Sequence, residues 1–202
     1  MANLRQQQKQ MTRRLLLESG LDLFTTKGYA ATKVDDIASA AGTTRVTFYA
    51  YFPSRSDLMK ALIDERLNEV LQRERSPEHG STALDLVATV ADGTREAILA
   101  WLRGTADNWP QVRPIIRVAR DAAAVDPELR DLVDRWMEEA ISDIEDGLTR
   151  AGRLEPHQRR FRGVLAMAEL DYVAQHWGDA DWKLDRAQML DELATSWVRL
   201  LN

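Results

Sequence analysis

Cysteine is absent from this 202-residue chain, which excludes disulfide bonds, thiolate metal sites and thiol catalysis. Long apolar runs are lacking too. The longest uninterrupted one is Ala97 to Leu102, far short of the roughly 18 residues that span a bilayer. The polar N-terminus, MANLRQQQKQ, has no apolar core of the kind found in signal peptides. We therefore expect a cytoplasmic protein with no membrane association.

Recognised catalytic and nucleotide-binding motifs are also missing. No GxGxxG, Walker A or GxSxG sequence occurs, and His79, His157 and His176 stand in separate segments without a second histidine at metal-ligand spacing. The sequence therefore predicts no catalytic residue, no metal site and no cofactor.

Two short amphipathic patterns stand close together between Thr32 and Phe52. We expect the first helix to begin at Thr32, whose hydroxyl can cap it together with Asp35, and to end at Gly42, which enters left-handed backbone geometry at little cost. Its apolar stripe consists of Val34, Ile37, Ala38 and Ala41.

A second helix is expected over about residues 45–51, with the hydroxyls of Thr43 and Thr44 available to cap it. We expect its inward side to carry Val46, Phe48 or Tyr49, and Phe52. Arg45, Thr47 and one tyrosine edge would then face outward. Such a set suits phosphate oxygens and base edges in the major groove of DNA.

The charge of the chain is unevenly divided. Residues 1–60 hold nine basic and five acidic residues, whereas residues 61–202 hold 18 basic and 27 acidic ones, within a net charge of −5. The positive balance therefore coincides with the paired helices, as counterion release from DNA phosphates requires.

The order of these residues resembles that of the TetR-type (tetracycline-repressor) transcriptional regulators. The resemblance is carried by Thr32-x-x-x-Asp36-Ile37-Ala38-x-x-Ala41-Gly42, then Thr44-Arg45-x-Thr47-Phe48-Tyr49-x-Tyr51-Phe52, then Ser54-Arg55-x-x-Leu58. It extends over roughly Leu16 to Leu58. Two residues depart from the usual pattern: Val46 stands where the family often has a small residue, and Arg55 replaces the usual lysine.

The resemblance implies an all-α fold in two parts. An N-terminal three-helix helix-turn-helix domain, residues 1–55, would bind DNA, and a C-terminal helical domain, residues 56–202, would bind ligand and dimerise. It implies a homodimeric repressor that binds a palindromic operator and is released by a small molecule. The residues expected to contact DNA are Thr32, Thr43, Thr44, Arg45, Thr47, Tyr49, Tyr51 and Arg55.

Helical periodicity covers the rest of the chain. A first helix is expected over Met11–Lys27 after a frayed polar start, and Gly20 inside it predicts close approach of the helix that follows Ser56. That helix should run to about Arg75, followed by a loop over Ser76–Ser81. Further helices are expected over about 82–91, 94–108, 110–124, 127–151, 158–178 and 185–201, with Gly178 to Leu184 as the last break.

The last two helices carry more apolar surface than one partner face would bury. We assign 158–178 and 185–201 to the homodimer interface, with Trp197 in it; the alternative is an internal core alone. All six tryptophans follow residue 100 and can line an apolar cavity for a small-molecule effector. The predicted pocket residues are Trp101, Trp109, Trp136 and Met167.

A different class of function is a helical small-molecule carrier or enzyme that keeps the N-terminal part as an interaction module. The outward Arg45 and Thr47 and the division of charge argue against it.

Overall fold

The computed structural model describes residues 2–76, 80–177 and 182–202. These residues form an all-α fold with one small antiparallel hairpin. The elements are α1 (Ala2–Lys27), α2 (Val34–Ala40), α3 (Arg45–Tyr51), α4 (Arg55–Ala61), a π-helical segment (Leu62–Leu67), α5 (Asn68–Val70), β1 (Glu74–Ser76), β2 (Gly80–Thr82), α6 (Leu84–Asp92), α7 (Arg95–Ala123), α8 (Pro127–Ala151), α9 (Pro156–Gln175) and α10 (Arg186–Leu201).

Contacts divide the chain into two compact units. Unit 1 comprises residues 1–69 and 112–134, and unit 2 comprises residues 70–111 and 135–202. Helices α7 and α8 therefore contribute residues to both units. The predicted division into domains 1–55 and 56–202 stays a prediction.

Unit 1 is built around the packing of α1 on α2 and α4 and of α2 on α3. Its fully buried side chains include Leu16, Phe24, Ile37, Phe48 and Leu58. A Cβ placed on Gly20 would lie 2.7 Å from a δ-carbon of Leu58. The expected close approach between α1 and α4 is thus confirmed, because a side chain at position 20 would require Leu58 to move.

Helix α1 begins at Ala2, so the frayed start expected before Met11 is wrong. The helix after Ser54 differs as well. It passes from α-helix into the π-helical segment and ends at Val70 instead of about Arg75. Single π-helical insertions of this kind are rare within α-helices.

The loop predicted over Ser76–Ser81 includes residues 77–79, which lie outside the described residues. On either side of them the chain forms a hairpin in which Glu74 pairs with Thr82 and Ser76 with Gly80. Residues 178–181 of the predicted last break also lie outside the described residues.

Helix α7 is continuous through Pro110 and Pro114, so the break predicted at Asn108-Trp109-Pro110 is wrong. Each proline removes one backbone donor, but the helix also packs along its length. Ala106 is buried in unit 2, and Val112 and Ile115 are buried in unit 1. Burial on both sides of the prolines offsets the lost hydrogen bonds.

Unit 2 has a core formed by α6, the first part of α7, the later part of α8, α9 and α10. Two glycines allow these helices to approach one another closely. A Cβ on Gly147 would lie 2.6 Å from Val90 Cβ, and one on Gly163 would lie 3.0 Å from the carbonyl oxygen of Ile141. The predicted α8 bounds and the capping box of α10, formed by Asp185 and Gln188, are confirmed.

Candidate nucleic-acid interface

Helix α3 is held by interactions at both of its ends. At the start, the Thr44 hydroxyl accepts a hydrogen bond from the backbone N–H of Thr47 at 3.2 Å, which satisfies a free donor of the first turn. At the end, the side chains of Phe48 and Phe52 are buried with ring centroids 5.9 Å apart. The predicted bounds of this helix, 45–51, and its cap at Thr44 are confirmed.

Arg13 on α1 braces the end of α3 from the side. Its guanidinium lies 4.9 Å from the Phe52 ring centroid and donates to both carboxylate oxygens of Glu65, at 2.6 and 2.7 Å. The paired charge therefore links α1, the end of α3 and the π-helical segment. Sequence reasoning missed this residue because its partners are 39 and 52 positions away.

The outward face of α3 carries Arg45, Val46 and Tyr49. The exposed fraction is 60% for the Arg45 side chain, 81% for Val46 and 43% for Tyr49. Arg45 donates to the Tyr49 hydroxyl at 3.3 Å and to Asp35 at 3.2 Å. This hydrogen bond to Tyr49 and the charge of Asp35 raise the pKa of Arg45, so its positive charge is retained.

Val46 was expected to point inward, and the structure overturns that expectation. Phe48 and Phe52, four residues apart, mark the buried stripe of α3. Val46 precedes Phe48 by two residues, which on a helix is a rotation of about 200°. The spacing of the two phenylalanines would have predicted its outward position.

Thr32 supports the motif from inside. Its side chain is fully buried, and its hydroxyl donates to the carbonyl oxygen of Gly28 at 2.8 Å. The cap of α2 is Lys33, whose backbone N–H donates to the Asp36 carboxylate at 3.0 Å. The prediction that Thr32 caps α2 with Asp35 is therefore wrong, and its buried side chain offers no surface to DNA.

The other predicted contact residues occupy three different environments. Thr43 and Thr44 stand at the start of α3, and Thr47 and Tyr51 are half-buried along it. Arg55 is half-buried at the first position of α4, where its guanidinium bonds to backbone carbonyl groups. The structure thus brings together Arg45, Thr47 and Tyr49 on α3 with Thr43 and Thr44 at its start, whereas Thr32 is buried and Arg55 bonds to the turn before α2.

The predicted pocket residues lie in unit 2 but in separate contacts. Trp101 stacks on Trp197 at 5.7 Å between centroids, and Met167 is buried in the same core. Trp109 meets Trp177 edge to face at 5.5 Å. These contacts pack the helices of unit 2 against one another.

Trp136 lies elsewhere in unit 2, 5.9 Å from the guanidinium of Arg73. Arg73 pairs with the buried carboxylate of Asp143 at 3.3 Å, and burial lowers the pKa of Arg73.

Trp197 is fully buried within unit 2, so its assignment to a dimer surface is wrong. The indole N–H groups of Trp136, Trp177 and Trp197 are buried and have no acceptor within the described part of the chain.

Comparison with known proteins places this geometry in a family. The sequence profile described as "Bacterial regulatory proteins, tetR family" matches residues 16–62, the segment that contains α2, α3 and their supports. The HTH-type transcriptional regulator EthR of Mycobacterium tuberculosis is 26% identical over 193 residues, covering 91% of this chain and 83% of EthR. The segment that holds α2 and α3 thus matches the tetR family. The chain is a DNA-binding regulator of transcription, and this assignment sets aside the enzyme alternative.

Other transcriptional regulators are similar to this chain over nearly its full length. The HTH-type transcriptional repressor LfrR of Mycolicibacterium smegmatis is 26% identical over 193 residues, covering 93% of this chain and 89% of LfrR. The transcriptional regulator FadR of Bacillus subtilis, solved in complex with stearoyl-CoA, shares the fold with a TM-score of 0.63 at 16% identity, covering 93% and 96% of the two chains. Across the described residues, no helix is both long and apolar enough to cross a membrane.

Proposed function

We propose that this regulator is a cytoplasmic homodimeric repressor that binds a palindromic operator through α3 and releases it when a small molecule binds in the C-terminal part of the chain, residues 56–202. The observation that carries the proposal is the outward set of Arg45, Val46 and Tyr49 on a helix whose other side is anchored by Phe48 and Phe52. A guanidinium, a branched methyl pair and a phenol edge together suit the hydrogen-bonding and apolar features of base edges in a major groove.

We divide the proposed DNA contacts between residues along α3 and the threonines at its start. Arg45, Thr47, Tyr49 and Tyr51 contact bases or nearby phosphates, and Thr43 and Thr44 hold the DNA backbone. The exposed pair between Arg45 and Asp35 contributes little to stability. The guanidinium can therefore exchange Asp35 for a base.

The DNA-binding test uses the DNA upstream of the protein's own gene. Arg45→Ala is expected to weaken specific binding roughly 5- to 150-fold for each half-site and to relax one base position in each half-site. The matched control is Arg103→Ala, which removes an exposed arginine from unit 2 and should leave binding unchanged. Equal losses for Arg45→Ala on upstream and scrambled DNA would contradict base recognition by this residue.

A homodimer is supported by an uncovered apolar stripe on α9. Phe161, Val164, Ala168 and Tyr172 recur at helical spacing and are exposed, at 62% for Phe161 and Tyr172 and 37% for Val164. Large apolar side chains at this spacing are typical of a helix that pairs with another helix. The apolar residues of α10 are mostly buried within unit 2, so we propose that α9 provides most of the interface within 158–178 and 185–201.

The dimer test compares Phe161→Asp with Leu84→Asp, which places the same charge on an exposed leucine of α6. Light scattering across a concentration series should give the mass of a dimer for the wild type and for Leu84→Asp. It should give dissociation toward the monomer for Phe161→Asp, because a carboxylate buried without a partner is strongly disfavoured. A wild-type monomer at all concentrations would refute the homodimer.

The small-molecule part of the proposal is supported by the tryptophans of unit 2. Trp101, Trp109, Trp136 and Met167 bring large apolar surface into this unit, and buried indole N–H groups without an acceptor within the described residues are sites where a ligand or water can bond. A ligand that prefers a conformer with a different separation of the two α3 helices would release DNA. A ligand that binds this conformer about 10⁴-fold more tightly than the other would change the ratio of the two from 1:99 to 99:1.

A direct test is native mass spectrometry of the purified protein, followed by tryptophan fluorescence with any co-purified molecule. Quenching that saturates and is accompanied by loss of DNA binding would support release by ligand. Saturable binding that leaves DNA affinity unchanged would contradict it.

A further inference from the structure

The guanidinium of Arg55 is bonded to the turn between α1 and α2. Its Nη1 donates to the carbonyl oxygens of Tyr29 at 2.8 Å, Ala30 at 3.1 Å and Thr32 at 2.7 Å. Its Cζ lies 4.2 Å from the centroid of the Tyr29 ring. One planar side chain at the start of α4 thus holds three carbonyl groups of the turn that leads into α2.

These bonds use the charge of Arg55 inside the protein. Hydrogen bonds from an ionised donor are stronger than neutral ones, and guanidinium stacking on an aromatic ring adds to them. The turn also determines where α2 begins, because Lys33 caps α2 immediately after Thr32. Helix α2 in turn contacts α3. The position of Arg55 therefore bears on α3 through the turn and α2.

The Tyr29 ring is itself anchored on its far side. Its hydroxyl donates to Asp126 Oδ2 at 3.1 Å, while Asp126 Oδ1 accepts from the backbone N–H groups of Glu128 and Leu129 at the start of α8. Burial raises the pKa of Asp126, but these hydrogen bonds outweigh it and the net pKa is lowered. Asp126 is thus held ionised as the acceptor of Tyr29.

We infer that Arg55 is a positioning residue for DNA binding, not a phosphate ligand, and that the Tyr29–Asp126 hydrogen bond ties the turn it holds to the start of α8. The inference concerns how the proposed operator-binding helix is held, and so its DNA test rests on the proposed function. It replaces the expectation from sequence that Arg55 contacts the DNA backbone.

The first test needs no DNA. Hydrogen exchange of the free full-length protein is measured for wild type, Arg55→Gln and Arg66→Gln, the last removing an exposed arginine of the π-helical segment that pairs with Glu69. We expect exchange of the amides in 29–37 to accelerate about tenfold or more in Arg55→Gln and to stay unchanged in Arg66→Gln. Unchanged exchange in Arg55→Gln overturns the inference.

Tyr29→Phe separates the two contacts made by Tyr29, since it keeps the ring beneath Arg55 and deletes the hydrogen bond to Asp126. Exchange over 29–37 should rise less in Tyr29→Phe than in Arg55→Gln. An equal rise in both variants would assign the holding of the turn to the hydroxyl and contradict the role given to Arg55. Arg55→Lys keeps the charge but loses the planar stacking, and it should fall between wild type and Arg55→Gln.

The second test measures affinity for the upstream DNA across salt concentrations. Each lost phosphate contact lowers the steepness of log K against log salt by about 0.9, so a homodimer that loses one contact in each subunit would lose about 1.8, whereas a displaced helix weakens binding with little change in slope. We expect Arg55→Gln to bind about tenfold more weakly with the wild-type slope. A slope reduced by about 1.8, or unchanged affinity, overturns the inference.

The two tests distinguish this inference from the proposed function. Wild-type protein that binds upstream and scrambled DNA equally would refute operator binding. In that case the exchange rates over 29–37 would still decide whether Arg55 holds the turn.

Discussion

Replacement of Val46 by alanine separates DNA recognition from folding. The side chain is 81% exposed on α3, so Val46→Ala removes two carbons that make few contacts within the protein. The free energy of unfolding should change by less than about 0.5 kcal/mol. The higher helix propensity of alanine opposes even this small loss.

In the proposed complex the same two carbons are buried. Apolar side chains in a major groove contact the C5 methyl of thymine. Burial of each carbon contributes about 0.8 kcal/mol, so Val46→Ala should cost about 1.6 kcal/mol at each half-site. That corresponds to roughly 15-fold at one half-site and roughly 200-fold when both half-sites of a palindrome contribute equally.

The assay is fluorescence anisotropy with the upstream DNA and with a copy in which deoxyuridine replaces thymidine, removing only the C5 methyl group. Wild-type protein should bind the uridine copy more weakly, and Val46→Ala should show little further loss on it. This coupling between protein and DNA changes isolates the methyl contact. Equal affinity of wild type and Val46→Ala for normal DNA, or an undiminished loss on the uridine copy, would refute the reasoning.

Two further predictions concern stability. Gly147→Ala should lower the free energy of unfolding by about 1–3 kcal/mol in urea titration, because its Cβ would lie 2.6 Å from Val90 Cβ. Gly104→Ala, with nothing within 4 Å of its Cβ, should raise it by about 0.5–1 kcal/mol; the same sign for both would contradict the packing. The hydrogen bond from Lys27 lowers the pKa of Asp36 below its ordinary value of 3.8, so this stabilisation is present above that pH and lost as the pH falls through the lowered pKa. The free energy of unfolding should therefore fall less steeply with decreasing acidic pH in Asp36→Asn than in the wild type. An unchanged pH dependence would contradict this.

The parts of the fold that were predictable depend on short-range chemistry. The cap at Thr44 and the last apolar residue, Phe52, are enough to define α3, and Asp126 with Pro127 defines the start of α8. Gly20 predicted a close helix contact because a glycine inside a helix is unfavourable unless something requires it. In each case the deciding residues stand within a few positions of the feature that they determine.

The errors arise where distant residues decide. Pro110 is compatible with α7 because burial on both sides maintains the helix, and the sequence near it does not contain that information. Trp197 was assigned to the dimer interface because it lies on the apolar stripe of the last helix. In the structure it stacks on Trp101, which is 96 positions earlier. The carbonyl groups that accept from Arg55 stand 23 to 26 positions before it, so the sequence around Arg55 does not reveal these contacts.

The candidate site shows the same division. Arg45 was predicted outward from helical periodicity and is exposed, and Tyr49, left as one of two candidates for the inward side, is exposed as well. Thr32 was assigned to the surface because threonine is a common cap, but the fold directs its hydroxyl to carbonyl groups of Leu23 and Gly28. Residue type alone therefore does not identify the partner of a side chain.

The most direct measurement of the central claim is a hydroxyl-radical footprint of the upstream DNA at moderate salt. A symmetric pair of α3 helices predicts two protected patches related by a dyad and separated by one helical turn of about 10 base pairs, or a multiple of it. Both patches should be lost in Arg45→Ala and retained in Arg103→Ala. A single patch, uniform protection along the fragment, or a pattern indifferent to Arg45 would contradict the account.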